Sequence, residues 1–273
     1  MRSIFFYSTL ILIGASIGSF LNVIRFRYPR SLSIVSPRSF CPKCKNPIPF
    51  YFNIPILSWI FLKGECYFCE SKISFSYPLI EFLTASLFVL NSFFVDTLSS
   101  IYNLNLLGLN IFAAILLIVS IIDFDKMIIP NEFIVIGSIL GFIFNLISLK
   151  FLGSESFFYI FYWFILLSFL GAIFLELLNF IISLVIKKDA FGIGDVKYLF
   201  MIGTWLGLNG IICTFILSLY IGGLITIILI IFKRIRVSGK IPFGPYLSIS
   251  AYIVGLFGSN NIILLIKNFY KLI

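Results

Sequence analysis

Long apolar runs separated by short polar stretches set the architecture of this chain. The runs lie near Ile4–Val23, Pro78–Val95, Leu104–Ile122, Phe133–Leu149, Phe157–Ile186, Val196–Leu208, Ile211–Phe232 and Tyr246–Ile266. Most approach the roughly 20 residues that a helix needs to cross a hydrocarbon core of about 30 Å. The pattern therefore predicts an all-α polytopic membrane protein with about eight transmembrane helices. The fifth run is longer than one crossing requires. The sixth is short and holds Gly203 and Gly207, so tilting, re-entry or broken helices are expected there. Between the first two runs, Arg25 to Tyr77 forms the one sizeable extramembrane segment. No internal repeat stands out.

Composition agrees with a lipid solvent. Hydrophobic residues make up 60% of 273 positions and charged residues 11%, too few to cover a soluble surface. Charge then orients the chain, because short cytoplasmic loops retain Lys and Arg. With Met1 outside, sixteen of the 20 basic residues fall in inside loops: Arg25 to Lys72, Lys126, the Lys187–Lys197 group and the Lys233–Lys240 group. Only Arg2, Lys150, Lys267 and Lys271 fall outside, so both termini are expected outside. The net charge of +9 is spread over loops at one membrane face rather than gathered in a basic domain, which argues against nucleic-acid binding. The first run exceeds the apolar core of a secretory signal and leads into Arg25 and Arg27, so it is expected to stay as a span.

Four of the five cysteines stand as Cys41-Pro-Lys-Cys44 and Cys66-Tyr-Phe-Cys69. Two C-x-x-C pairs at this separation point to a four-thiolate zinc site, each pair supplying one edge of a tetrahedron. A reducing cytoplasm disfavours the disulfide or redox alternative. Four thiolates leave no open position for water, so the zinc is expected to be structural and to order a small cytoplasmic loop. Cys213, alone in an apolar run, reads as a core residue. The chain accordingly divides into a first transmembrane helix (1–24), a cysteine-rich module (25–77) and a transmembrane catalytic region (78–273).

The sequence contains no histidine, which removes histidine-assisted nucleophiles and His-based metalloprotease schemes. Carboxylates then carry the candidate chemistry. Asp123 lies in Ile-Ile-Asp-Phe-Asp-Lys, Asp195 in Phe-Gly-Ile-Gly-Asp-Val-Lys, both at the inner ends of spans, where an acid is costly unless hydrated, paired or used. Two such aspartates brought together can share a proton, one acting as base toward water and the other donating to a scissile carbonyl. Gly192 and Gly194 permit close backbone approach. Helix-end electrostatics favour Asp195 as the base and Asp123 as the acid. Asp125 and Asp189 read as solvated helix ends, and Glu81, Glu132 and Glu176 as helix-end, packing or pathway residues. Paired intramembrane aspartates also fit an ion-coupled transporter, and the cysteines alone fit a zinc-stapled membrane adaptor.

Taken together the segments resemble the bacterial prepilin leader peptidases, membrane aspartic proteases of the Gly-x-Gly-Asp kind. The likeness runs through Gly14-Ala-Ser-Ile-Gly-Ser-Phe-Leu-Asn22, both cysteine pairs, Asn53-Ile-Pro-Ile-Leu-Ser-Trp59, Tyr77-Pro-Leu-Ile-Glu81, Asp123 with Ile129-Pro-Asn131, Gly192-Ile-Gly-Asp195-Val-Lys197 and Pro242-Phe-Gly-Pro245. It implies that Asp123 and Asp195 are the catalytic pair. It also implies that the substrates are type IV prepilins or type II secretion pseudopilins, cut after a Gly that ends a basic leader. Placement in the bacterial inner membrane, with lipid around the bundle, follows from the same likeness. Many members then methylate the new N-terminal residue, usually Phe, using S-adenosylmethionine, and the cysteine loop is associated with that step. No nucleotide-binding signature in the residues supports methylation independently. Related presenilin-like and archaeal preflagellin peptidases are a nearby alternative, against which the cysteine loop argues.

Overall fold

A backbone surrounded by apolar side chains must satisfy its own polar groups, and the helix does this within one segment. The computed structural model describes residues 4–95, 101–151, 192–232 and 241–271, with scattered helical residues between 165 and 184. Its helices are α1 (Ile4–Arg27), α2 (Leu57–Phe61), α3 (Ser76–Phe94), α4 (Tyr102–Lys126), α5 (Asn131–Phe151), α6 (Ile193–Ile231), α7 (Gly244–Phe257) and α8 (Ser259–Lys271). Short 3-10 turns lie at Tyr28–Arg30 and Phe50–Asn53. Among the described residues there is no strand, only the isolated bridges Phe40 to Pro47 and Glu65 to Lys72. The protein is a helical, multi-pass membrane protein.

Five described helices are long and apolar enough to cross a bilayer. Four of them, α1, α3, α4 and α5, coincide with the first four runs. The fifth run, Phe157–Ile186, lies largely outside the described residues. So do Arg2, Lys187, Lys188, Asp189, Lys233, Arg234, Arg236 and Lys240.

The sixth and seventh runs are joined in α6, 39 residues with one non-helical position, Gly207 (φ 69°, ψ −176°). Eight residues of straight helix span about 12 Å, yet a Cβ on Gly203 would overlap the Ile211 side chain. The chain therefore turns sharply at Gly207, in a backbone region essentially reserved for glycine. The turn frees carbonyls of the preceding helix. Asn145 Nδ2 donates to the Thr204 carbonyl at 2.7 Å, and Trp205 Nε1 donates to the Gly137 carbonyl at 2.9 Å, fastening α5 to this arm. The eighth run is likewise interrupted. Gly258 (φ 77°) caps α7 by donating its N–H to the Val254 carbonyl at 2.9 Å, so the run Tyr246–Ile266 is broken into two helices at Gly258.

The chain forms two compact units, Met1–Phe93 and Phe94–Ile273. In the first, α1 meets α3 through Gly14 and Gly18, where a Cβ would come within 2.7 Å of the Ala85 Cα and 2.6 Å of the Glu81 Cα. This is the small-xxx-small contact that lets two membrane helices touch backbone to backbone. In the second, α7 packs on α4 and α6, and α5 packs on α6. Phe112 and Phe144 both stack on Trp205, with ring centroids 5.1 and 5.6 Å away. Tyr198, Met201, Ile202 and Leu247 fill the interior beside them.

Candidate active site and cysteine centre

Asp123 lies one turn before the end of α4. The Met127 N–H donates to its carbonyl at 2.7 Å, Met127 is left-handed (φ 55°), and Pro130 separates this end from α5. The Asp123 side chain is buried. Its Oδ2 accepts the backbone N–H of Gly244, the first residue of α7, at 2.9 Å. A Cβ on Gly244 would stand 2.7 Å from that oxygen, so a residue without a side chain is what lets this N–H reach the carboxylate.

Asp195 is the third residue of α6. Its Oδ2 accepts the Gly192 N–H at 3.0 Å, and its own N–H donates to the Gly192 carbonyl at 3.0 Å. This is one half of a capping box, with glycine in place of the usual Ser or Thr. The ends of α4 and α6 are drawn together by the connecting Ile129-Pro130-Asn131. Ile129 packs on Gly194, where a Cβ would lie 3.3 Å from the Ile129 Cβ. Lys197 Nζ donates to Asn131 Oδ1 at 3.3 Å. As a result Asp195 and Tyr198 both lie within electrostatic reach of the Asp123 carboxylate. Tyr198 Oη and Ser248 Oγ are 2.7 Å apart, and Ser248 Oγ donates to the Gly244 carbonyl at 2.8 Å. That chain of bonds holds the α7 start against Asp123.

Each aspartate thus meets the N–H-bearing start of a helix, Asp195 that of α6 and Asp123 that of α7. The asymmetry behind assigning base and acid by helix ends is gone, because α7 offsets the unfavourable end of α4. Asp125, Glu132 and Glu176 are exposed, whereas Glu81 is buried in the first unit. Gly244, Tyr198 and Ser248 were not singled out from sequence as site residues. The signal for Gly244 lay in Pro242-Phe-Gly-Pro245.

The four cysteines converge. Their sulfurs all lie within 4.8 Å of one another, and Cys41 Sγ and Cys69 Sγ are 3.8 Å apart. Sulfurs at the corners of a tetrahedron with Zn–S bonds of about 2.3 Å would be about 3.8 Å apart, so the donor set fits zinc in geometry and chemistry. The two pairs sit on repeated backbone knuckles. The N–H of Cys41 donates to Asn46 and that of Lys45 to Cys41, at 3.0 and 2.8 Å; the N–H of Cys66 donates to Ser71 and that of Glu70 to Cys66, both at 2.9 Å. Lys45 and Glu70 are both left-handed (φ 60° and 55°). This structural repeat was not visible in sequence. Burial works against the Cys41 thiolate, but the N–H groups of Cys44 and Lys43 together with the side chains of Cys66 and Ser71 outweigh it and bring the thiol down to about 6. Cys44 is pushed up to about 11: the Asn46 N–H favours its thiolate, but burial and the neighbouring sulfurs prevail. Clustered thiols resist ionising together unless a cation joins them. Cys213 packs with Val254 and Ile262 in the second unit.

The model of the bacterial peptidase A24 N-terminal domain matches residues 12–95, and that of the type IV leader peptidase family matches residues 110–227. A prepilin leader peptidase/N-methyltransferase of Aeromonas salmonicida (strain A449) is 31% identical over 280 residues, covering 93% of this chain and 92% of that protein. The chain belongs to the type IV leader peptidase family. Proteins with the same description from Neisseria gonorrhoeae (31% identical, 89% of this chain, 87% of that one) and Pseudomonas aeruginosa (29%, 91% and 89%) are further relatives. No solved structure matches the chain. Within the family match, the peptidase segment carries Asp123 and Asp195 and the N-terminal segment carries all four clustered cysteines.

Proposed function

We propose that this chain is a prepilin leader peptidase and N-methyltransferase of the bacterial inner membrane. The observation that carries the reading is the 31% identity to such an enzyme over nearly the whole of both chains. The ion-coupled transporter and the metal-stapled adaptor find no support in that relationship. The substrates are type IV prepilins or pseudopilins, cut after the Gly that ends the basic leader.

Asp123 and Asp195 are the catalytic pair. Two carboxylates in mutual electrostatic reach share a proton more readily than they carry two charges. The ionised member takes a proton from water as the water attacks the scissile carbonyl, and the protonated member gives its proton to the carbonyl oxygen. The reverse transfers collapse the tetrahedral intermediate and protonate the leaving amine. Gly244 and Gly192 hold the two carboxylates through backbone N–H groups, and neither metal nor histidine takes part.

The finer architecture follows the same reading. The chain crosses the membrane eight times with both termini outside, the turn at Gly207 separating two of the crossings. It comprises a first helix (1–24), a cytoplasmic cysteine-rich module (25–77) and the aspartic peptidase region (78–273). Cys41, Cys44, Cys66 and Cys69 hold a structural zinc. S-adenosylmethionine supplies an electrophilic methyl group for the second activity.

Cleavage of a full-length prepilin by purified protein in liposomes tests the peptidase. Wild type is expected to release the leader, Asp123→Asn and Asp195→Asn to lose at least roughly a thousandfold in rate, and Asp125→Asn to stay near wild type. Normal cleavage by either of the first two variants would remove that residue from the pair.

A further inference from the structure

The first unit contains a cavity of about 280 Å³ that the peptidase chemistry does not use. Phe26, Phe40, Phe52, Trp59, Tyr67 and Tyr77 supply aromatic wall. Four buried polar residues also line it, Arg27, Ser58, Glu81 (8% exposed) and Asn22 (3% exposed). Glu81 Oε2 accepts the Ile56 N–H at 2.7 Å, and the Ser19 and Asn22 side chains also bond the carboxyl. All three donors are neutral. Asn22 Nδ2 donates to the Tyr77 carbonyl at 3.0 Å, while Asn22 Oδ1 is buried with no hydrogen-bond partner. Arg27, Lys43 and Lys72 line the same cavity, but the Arg27 guanidinium is committed to the carbonyls of Ser33, Pro37 and Arg38 at 2.8, 2.7 and 3.2 Å, and Lys43 and Lys72 are exposed.

A carboxylate withdrawn from water and held by neutral donors lacks its counter-charge. An orphaned buried acceptor lacks a donor. One group meets both needs at once, a primary ammonium, which brings positive charge together with N–H bonds. A sulfonium brings the charge alone. Aromatic walls suit a cation and equally the apolar side chain attached to it.

We propose that Glu81 and Asn22 seat the new α-amino group of the cleaved substrate, with its first side chain against the aromatic walls. The proposal rests on the methyltransferase half of the functional reading. In this seat the ammonium passes a proton to Glu81. The freed nitrogen lone pair forms the N–C bond to the methyl group of S-adenosylmethionine as the S–C bond breaks. The sulfur keeps that electron pair and leaves as a neutral thioether, and the nitrogen becomes a methylated ammonium.

Glu81 also pins Ile56, whose backbone (φ 64°, ψ −53°) is unfavourable for a β-branched residue. A glutamine retains an acceptor for the Ile56 N–H and removes the charge, which separates seat from pin.

The probe is an octapeptide beginning with Phe, free or acetylated at its N-terminus, titrated by calorimetry into purified full-length protein in detergent. Acetylation is expected to weaken binding about tenfold or more in wild type, and to change it less than about twofold in Glu81→Gln. Asn22→Ala is expected to shrink the same difference and serves as the second variant. Zinc content and thermal melting report whether either variant folds. Equal binding of the two peptides by wild type overturns the seat, as does a peptide that does not bind, or a penalty undiminished in both variants. S-adenosylmethionine titrated alone separates the other amine source. Independent binding of donor and peptide is expected, and mutually exclusive binding would assign the seat to the donor's own amino group. If the preparation cleaves and methylates prepilin while acetylation makes no difference, the seat fails and the functional reading stands. If it does neither, the functional reading itself fails.

Discussion

Replacing Gly244 by Ala tests whether the α7 start positions Asp123. The new methyl group would sit 2.7, 3.1 and 3.2 Å from Asp123 Oδ2, Cγ and Cβ. Comfortable contact begins near 3.4 Å, so the carboxyl or the α7 start must shift by roughly 0.7 Å. The 2.9 Å bond from the Gly244 N–H is then strained or lost. A hydrogen bond to a charged group is worth about 1.5–3 kcal/mol, and displacing a catalytic group by about 1 Å costs on the order of a hundredfold in rate. Gly244→Ala is therefore expected to lower kcat for prepilin cleavage by about ten- to a hundredfold with little change in KM. Gly223→Ala is the control, because a Cβ there meets nothing within 4 Å. Within α6 it is expected to be neutral or stabilising by about 0.4–1 kcal/mol. Gel-based cleavage kinetics in liposomes, with thermal melts of both variants, decide the matter. Gly244→Ala cleaving within twofold of wild type would refute the positioning argument.

Gly207→Ala should destabilise the second unit by about 1–3 kcal/mol, because alanine does not reach φ 69° with ψ −176° without strain; an unchanged melting temperature would show the turn to be unstrained. Cys69→Ser should reduce bound zinc from about one ion per chain to a small fraction of that, measured by elemental analysis, because a four-thiolate site loses a quarter of its donors. Retention of a full equivalent would remove Cys69 from the centre.

What was legible in the sequence follows from how locally each feature is encoded. Spans α1, α3, α4 and α5 are continuous apolar runs, so length alone found them. The break in the eighth run depends on a single left-handed glycine, Gly258, within an otherwise apolar stretch, and hydropathy averages over such a residue. Cysteine spacing announced the cluster of four thiols, but the repeat of its knuckles did not register. Lys45 and Glu70 occupy equivalent left-handed positions with opposite charges, and Pro42-Lys43 faces Tyr67-Phe68, so the likeness lives in backbone angles rather than residue types. The partnership of Asp123 with Gly244 spans 121 positions, beyond any local pattern. In sequence Asn22 is only the end of a first-run motif and Glu81 a helix-end, packing or pathway residue, because their shared cavity forms only when α1 and α3 pack.

The use of glycine at both aspartates points to a common solution. A membrane-embedded carboxylate needs hydrogen-bond donors, yet a Lys or Arg partner would lock its charge in place and prevent it from exchanging a proton. Backbone N–H groups at a helix start supply donors and a partial positive charge without titrating. Reaching a carboxylate with them requires backbone-to-side-chain approach, and at Gly244 that approach leaves no space for a Cβ. The Gly-x-Gly-Asp and Pro-Phe-Gly-Pro segments, far apart in the chain, thus perform the same physical task. Each gives one aspartate a neutral backbone partner.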